Sequence, residues 1–513
     1  MSSAVTTYLS QCFVNLIPHR EKKAGDLTLW QAIRSLTWIQ WAQFWCGWLA
    51  WICDSYDFFS VSLSVTALEK QFNKDANTIS TAITLTLLFR SLGAVIFGIA
   101  SDRFGRKWPL VVNLLLAAAF ELGSGFVNSY EQFLIVRSFF GVAMGGIWGL
   151  ASSTALENLP VEARGLASGF LQEGYAVGYL LAAVINLTLV PETSTGWRGL
   201  FWLGAGLSVL AAAVRAVLPE SEVFLRAKAV ERATGHTTKN KTKVFVRETK
   251  QMLKNHWILC CYAVVLMTGF NFLSHGSQDL YPTYLRTTKG FSEHDSTVAT
   301  IIGNCGAIAG GTIAGWLSQY IGRRLTIILF VLLIGAFIPL WILPSTFGAL
   351  SAGAFCVQFG VQGAWGVIPI QLAEMSPPAF RATFPGVAYQ MGNMVSSASA
   401  QIETTGGKNL KTTIFQNGAY QTVADYATVQ GILLGVVAAF VVLCTIIGPE
   451  NHGSHFEKYK AAFEEGAGRD EEMPDLDEHG NPIVRAGPEG KGADVESGSR
   501  PRSIEEVREK DVD

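Results

Sequence analysis

The sequence predicts an all-α membrane protein in which twelve transmembrane helices form two pseudo-symmetric six-helix bundles. Three observations carry that expectation. Of 513 residues, 49% are hydrophobic and 16% charged, against roughly 25% charged in soluble domains. The apolar residues gather in twelve stretches, each near the ~20 residues that cross a hydrocarbon core. Short motifs also recur at a constant offset of 217 residues, which marks two related halves.

The expected spans run over 41–66, 78–99, 108–127, 131–153, 164–188, 199–218, 257–285, 296–318, 325–343, 347–370, 382–404 and 427–447. Backbone polar groups find no partner in lipid, so each span has to be helical. The chain then divides into an N-terminal segment (1–38), a first bundle (39–218), a basic linker (219–255), a second bundle (256–448) and an acidic tail (449–513). No cleavable signal peptide is expected, because the first 38 residues carry charges and lack a suitable apolar core. The first span can serve as its own anchor. Seven of the eight cysteines (Cys46, Cys53, Cys260, Cys261, Cys305, Cys356, Cys444) fall in apolar spans, without disulfide or metal-site spacing. They are expected to be small apolar core residues.

Lys and Arg favour the cytoplasmic side. The linker holds nine of them, including Arg226, Arg232 and Lys239, and loops 2–3 and 8–9 carry Arg103, Arg106, Lys107, Arg323 and Arg324. With an even number of spans, both termini are expected in the cytoplasm. The tail has 18 acidic residues against 9 basic ones. That composition buries no core, so no fixed structure is expected there.

Loop 2–3 reads Gly98-x3-Asp102-Arg103-x-Gly105-Arg106-Lys107, and loop 8–9 reads Gly315-x3-Gln319-x2-Gly322-Arg323-Arg324. Glu157-x2-Pro160-x3-Arg164 and Gly146-x-Trp148-Gly149 recur 217 residues later as Glu374-x2-Pro377-x3-Arg381 and Gly363-x-Trp365-Gly366. Such parallel repeats hold substrate between the halves near the midplane and work by rocking. In the loops, glycines let helices approach, and Asp102 can hold a helix N-terminus or a basic group across the halves. The alternative is a basic loop that only sets topology, which leaves the glycines unexplained.

The loop 2–3 run resembles the signature of the major facilitator superfamily. Arg137-x3-Gly141-x3-Gly145-Gly146 is similar to its fourth-helix motif, and Pro219-Glu220-Ser221 also fits its members. The resemblance covers roughly 40–450 and implies gating roles for Gly98, Asp102, Arg103, Gly105, Arg106 and Arg137. Gln319 and Tyr320 replace Asp and Arg in the second half, so weaker gating contacts are expected there.

Ionisable groups inside a span are functional candidates by default. Arg90 lies twelve residues before Asp102, about 18 Å along the helix and so near the midplane. As a planar, permanently charged fork it is the best anchor for a carboxylate, unless it forms a structural pair with Asp54 or Asp57. Glu121 and Arg137 are expected to pair between spans three and four. Span seven reads Asn271-Phe-Leu-Ser274-His275-Gly-Ser277-Gln278-Asp279-Leu-Tyr-Pro-Thr283. Asn271, His275, Gln278 and Asp279 share one helical face, and a polar stripe on an apolar span should face a cavity. Gly276 and Pro282 allow a bend or break there.

This segment resembles the signature of the Jen-type fungal lactate and carboxylate permeases (relatives of sialate:proton symporters), and every specified position from Asn271 to Thr283 is matched. The resemblance implies proton symport of lactate- or pyruvate-type monocarboxylates, or malate- or succinate-type dicarboxylates, at the plasma membrane. It also links Arg90, the stripe with Ser274, and the Gln390–Asn393 pair of span eleven to substrate handling. The offset agrees: Asp54 corresponds to Asn271, and Glu173 to Gln390. Proton carriers are to be sought among His275, Asp279, Asp54, Asp57 and Glu173.

A proton symporter for another organic acid, such as a sialic or aromatic acid, is the nearest alternative. A non-transporting nutrient receptor on the same fold is the other. An enzyme is not expected, because no nucleophile–base pair, metal cluster or phosphate loop is visible. No cofactor, metal or nucleic acid is expected. The partners are a small carboxylate, protons and lipid, with the monomer as the working unit.

Overall fold

The computed structural model describes residues 28–221, 241–377, 379–380, 383–416 and 419–451, with isolated short pieces elsewhere. Arg226, Arg232, Lys239 and Arg381 lie outside the described residues, as do nearly all of the segment before residue 28 and of the acidic tail.

After a short helix Leu29–Ser35, the spans follow in order. The first half holds Trp38–Phe72, Ala76–Phe104, Lys107–Ser124, Tyr130–Met144 continued by Ile147–Leu156, Val161–Thr188, and Arg198–Val217. The second holds Lys241–Gln278 continued by Tyr281–Thr287, Glu293–Ile321, Arg323–Ile342, Phe347–Gly366 continued by Ile368–Met375, Thr383–Ser396 continued by Ser399–Asn409, and Tyr426–Ile447. Among the described residues nine of these are long and apolar enough to cross a membrane on hydropathy alone. Spans one, three and eleven fall short because they carry the polar residues that the bundle, not lipid, surrounds.

Local chemistry explains the helix starts. Thr37 and Ser129 close capping boxes with Gln40 and Gln132, and Asp75, Ser292 and Asp425 cap spans two, eight and twelve. Spans two and eight both end on a glycine at positive φ, Gly105 at 94° and Gly322 at 92°, a conformation only glycine adopts cheaply.

Packing repeats the symmetry of the sequence. Span two packs on four as eight packs on ten, one on five as seven on eleven, and three on six as nine on twelve. Between the halves the main contacts are five with eight and eleven with two, which the offset interchanges. A Cβ on Gly145 falls 1.9 Å from the Arg90 carbonyl oxygen, so the close approach of spans four and two requires glycine. Gly145→Ala is expected to destabilise the fold by about 1–3 kcal/mol, read as a lower melting temperature of the purified protein.

Three features differ from the sequence expectation. Spans four and eleven are broken near mid-length, span ten at Val367 and span seven towards its end at Asp279 and Leu280, whereas continuous helices were expected except in span seven. The helix of span seven starts at Lys241 and kinks at His256, so the second half of the basic linker is helical and buries Val244, Phe245 and Met252. Between spans eleven and twelve, Lys411–Gln416 and Ala419–Ala424 form an antiparallel hairpin. Of the cysteines, Cys46 and Cys53 are buried as expected, but Cys261 and Cys305 lie on the exposed perimeter.

Candidate functional site

Arg90 is fully buried, and its Nη2 donates to Asp54 Oδ2 at 2.6 Å. Its Nε and Nη1 have no partner, nor has Asp54 Oδ1. Buried donors are rarely left unpaired, so Nε and Nη1 are two donors open to an anion, while Nη2, which either would need beside it to grip both oxygens of one carboxylate, is the nitrogen that Asp54 holds. The Tyr389 ring lies 6.0 Å from the guanidinium. Tyr389 in turn stacks on Trp148 at 4.7 Å and meets Trp365 edge-on at 5.5 Å, the two tryptophans related by the offset. In the second half the position equivalent to Arg90 is Ala307.

The stripe of span seven is buried, as is the whole segment from Leu273 to Leu285. Asn271 donates to the carbonyls of Met267 (2.8 Å) and Tyr389 (3.2 Å), which ties span seven to span eleven. Ser274 donates to Gln278, and Gln278 donates to Gln358 of span ten at 2.6 Å. His275 Nδ1 faces the Asp279 carboxylate at 3.0 and 3.1 Å, and Nε2 faces Asn393 Oδ1 at 2.9 Å. Asn393 Nδ2 donates to Gln390 Oε1 at 2.6 Å. The helix stops at Gln278, Asp279 and Leu280 form the break, and Pro282 starts the short following helix.

Other candidates lie apart from this line. Asp57 accepts from Ser208 of span six at 3.1 Å, inside the first half. The buried Arg137 pairs with Glu121 at 2.6 Å, as expected for a structural pair. Glu173 accepts from Thr312 of span eight across the halves. Gln358, Tyr389 and the buried Glu403, which Gln430 and Ser399 hold at 2.6 and 3.2 Å, are polar members that the sequence reading missed. Their only signal was a polar type in or beside an apolar span.

Both ends of the interface between the halves are closed. At the basic-loop end, Thr383 donates to Asp102, and Gln319 accepts from Gly165 N at 3.1 Å and donates to Val161 O at 3.2 Å. The second half's neutral amide thus makes two uncharged hydrogen bonds across the halves. Gly98 admits Thr383 closely, since a Cβ there lies 3.3 Å from it. Behind these contacts, Arg106 grips Glu157 at 2.9 and 3.3 Å and Asp102 at 3.1 Å. Arg323 grips Glu374 twice at 3.0 Å. Glu220 accepts the N–H groups of Arg106 and Lys107, and Glu450 those of Arg323 and Arg324. Burial raises the Glu450 carboxyl above its ordinary range, against those N–H donors. Arg103 lies over the Phe104 ring at 5.0 Å.

The sequence profile described as Major Facilitator Superfamily matches residues 47–400. The chain belongs to the Major Facilitator Superfamily. Among its relatives is the "Carboxylic acid transporter protein homolog" of Saccharomyces cerevisiae, 36% identical over 88% of this chain and 74% of that one. The cis,cis-muconate transport protein of Acinetobacter baylyi is 26% identical over 67% of this chain and 82% of that one. A structure of the proton:xylose symporter XylE superposes with a TM-score of 0.64 at 18% identity, covering 82% of this chain and 98% of that one. XylE from E. coli in a partially occluded inward open conformation gives 0.62, also at 18% identity, over 82% and 100%. The chain is therefore a multi-pass membrane transporter with the major facilitator fold, and not an enzyme.

At the end opposite the basic loops, this facilitator is latched by Thr84 to Ser397 O (3.0 Å), Gln401 to Asn77 O (3.1 Å), and a Lys408–Asp75 ion pair of 2.6 Å. The hydrogen bond from Lys408 is the largest of the effects that hold the Asp75 carboxyl down, to about 2. A carboxyl depressed in the closed state favours closure above its free value of about 4, and that contribution is lost as pH falls from there through about 2. Between pH 5 and 7 the latch stays ionised. Asp75→Asn is therefore expected to leave the shape of the uptake–pH profile over that range unchanged, measured by radiolabelled uptake.

Proposed function

We propose that the protein carries small carboxylic acids together with protons across the plasma membrane, with its basic-loop end in the cytoplasm. The observation that carries this reading is the buried Arg90, held by Asp54 on one nitrogen and unpaired on the other two. The guanidinium binds the carboxylate, Gln390 adds a polar contact, Asn271 holds span eleven in place through the Tyr389 carbonyl, and the proton travels on the His275–Asp279 pair. Gly98, Asp102, Arg103, Gly105 and Arg106, with Gln319 opposite, form the contacts that break when the halves rock open. Arg137 supports this movement from within the first half, through its pair with Glu121.

The names of the relatives support organic acids as cargo: carboxylic acid, cis,cis-muconate, sialic acid and gentisate transport appear among them. They also favour transport over a receptor role. The aromatic surround of Tyr389, Trp148 and Trp365 favours, as a second reading, an unsaturated or aromatic acid in the same site.

Proteoliposomes given labelled lactate, succinate and muconate, with and without an inward proton gradient, test both. Accumulation of lactate or succinate that collapses with a protonophore is expected. Uptake indifferent to the gradient overturns proton coupling, and transport of muconate alone selects the second reading.

A further inference from the structure

We infer that Asn393 is a positioning residue that transmits the protonation state of His275 to Gln390, so that Gln390 adds a hydrogen-bond donor to those of Arg90 only when the proton is aboard. The inference rests on the carboxylate reading above and deepens it by naming the coupling element.

The argument is one of donor and acceptor counting along a buried chain. Asp279, His275, Asn393 and Gln390 follow one another at 3.0, 2.9 and 2.6 Å, and all four are buried to within a few per cent. Gln390 Nε2 at the end of the chain has no partner. The Asp279 carboxylate only accepts, so Nδ1 of the imidazole carries a hydrogen in either charge state. Two arrangements then satisfy every link. In the first, Nε2 is also protonated and donates to Asn393 Oδ1, Asn393 Nδ2 donates to Gln390 Oε1, and the free end of Gln390 is its NH2 group. In the second, Nε2 has lost its proton and accepts from Asn393 Nδ2. Asn393 Oδ1 then accepts from Gln390 Nε2, and the free end of Gln390 is its carbonyl oxygen. Any mixture sets two acceptors or two donors face to face, which is costly for buried side chains.

Gain or loss of one proton on Nε2 therefore reverses two amides and exchanges what Gln390 presents. A carboxylate has no donor to offer, so it pairs with the first arrangement and is repelled by the second. By reciprocity the bound anion holds the proton on His275 by the same free energy. The other charged and titratable groups round the pair are the closed Asp54–Arg90 ion pair of spans one and two and Tyr175 and Tyr179 of span five. Span eleven adds Tyr389 and Glu403, which lie within electrostatic reach of Asp279. The Phe58 ring meets the imidazole edge-on at 5.6 Å. Of the charged groups, Asp279 is the one hydrogen-bonded to the ring.

The test is the pH dependence of affinity, which a purely structural Asn393 does not govern. Labelled lactate uptake by surface-expressed protein is measured from pH 5 to 8 in the wild type, His275→Ala, Asn393→Ser and the double variant. In the wild type the apparent Km is expected to rise with pH, by up to about tenfold per unit once the imidazole has lost its proton. Each single variant flattens that rise, and the double variant is flattened no further, because both act through one chain. Should Asn393→Ser fail to reach the surface, Gln390→Met, which has no amide to reverse, is expected to flatten the rise as well. A variant at the surface that keeps the wild-type slope overturns the relay, and so do additive effects in the double variant. A wild type that moves no carboxylate at all overturns the carboxylate reading, and the relay with it, whereas normal wild-type uptake with unaltered slopes overturns the relay alone.

Discussion

Replacing Arg90 by lysine is expected to cut lactate uptake by roughly 10- to 100-fold, the loss of one charge-assisted hydrogen bond of about 1.5–3 kcal/mol. The charge survives and an ammonium can still reach Asp54, which now holds Nη2 at 2.6 Å. What goes are the two unpartnered donors, Nε and Nη1, which the guanidinium holds at fixed directions beside the nitrogen bonded to Asp54. An ammonium tied to Asp54 is a point charge on a flexible stem without those fixed donors. Insertion and surface expression should be unaffected, since the buried pair keeps both signs. The measurement is initial uptake rate normalised to surface protein. Near-normal uptake with lysine removes Arg90 from the anchor role.

Glu374→Ala is expected to cost about 3–5 kcal/mol of stability, the usual result of stripping the partner from a buried ion. Arg323 is fully buried, and both nitrogens that face Glu374 sit at 3.0 Å from its carboxylate. Without that carboxylate the guanidinium is left largely unneutralised at the closed end, with Gln319 and Ser318 as its side-chain acceptors. Thermal unfolding of the detergent-purified protein reads the effect. Glu374→Gln, which restores one acceptor, should recover part of it. An unchanged melting temperature in Glu374→Ala rejects the structural weight given to this pair.

Much of the architecture was legible because the physics that imposes it acts locally. Lipid requires runs of about 20 apolar residues, and those runs are countable. The 217-residue offset is countable too, and it reappears in space as Arg106–Glu157 and Arg323–Glu374. Helical period placed Asn271, His275 and Gln278 on one face, but burial extends over every residue from Leu273 to Leu285 and does not single that face out. What the chain hides is register between helices. Asp54 and Asp57 are three residues apart, yet one meets Arg90 and the other Ser208. No local pattern says that His275 meets Asn393 and not Gln390. The hairpin between spans eleven and twelve is legible in the sequence: Asn417-Gly418 between runs rich in Thr, Ile, Tyr and Val is a strong hairpin signal, although it lies outside any apolar run. The helix from Lys241 was masked by its lysines, which suggested a loop although Val244, Phe245 and Met252 share a buried face.

The aromatic contact of Tyr389 with Trp148 and Trp365 turns the protein into its own optical probe. One tryptophan belongs to each half and the tyrosine stands between them, stacked at 4.7 Å on one side and edge-on at 5.5 Å on the other. Rocking of the halves has to change at least one of these distances and to alter the polarity around an indole that is now dry. Emission from indoles shifts with such changes, so opening and closing should be visible by stopped-flow fluorescence without any attached dye. Phenylalanine at Trp148 or Trp365, one at a time, then separates the contact that crosses the halves from the one within the second half, to which Tyr389 belongs.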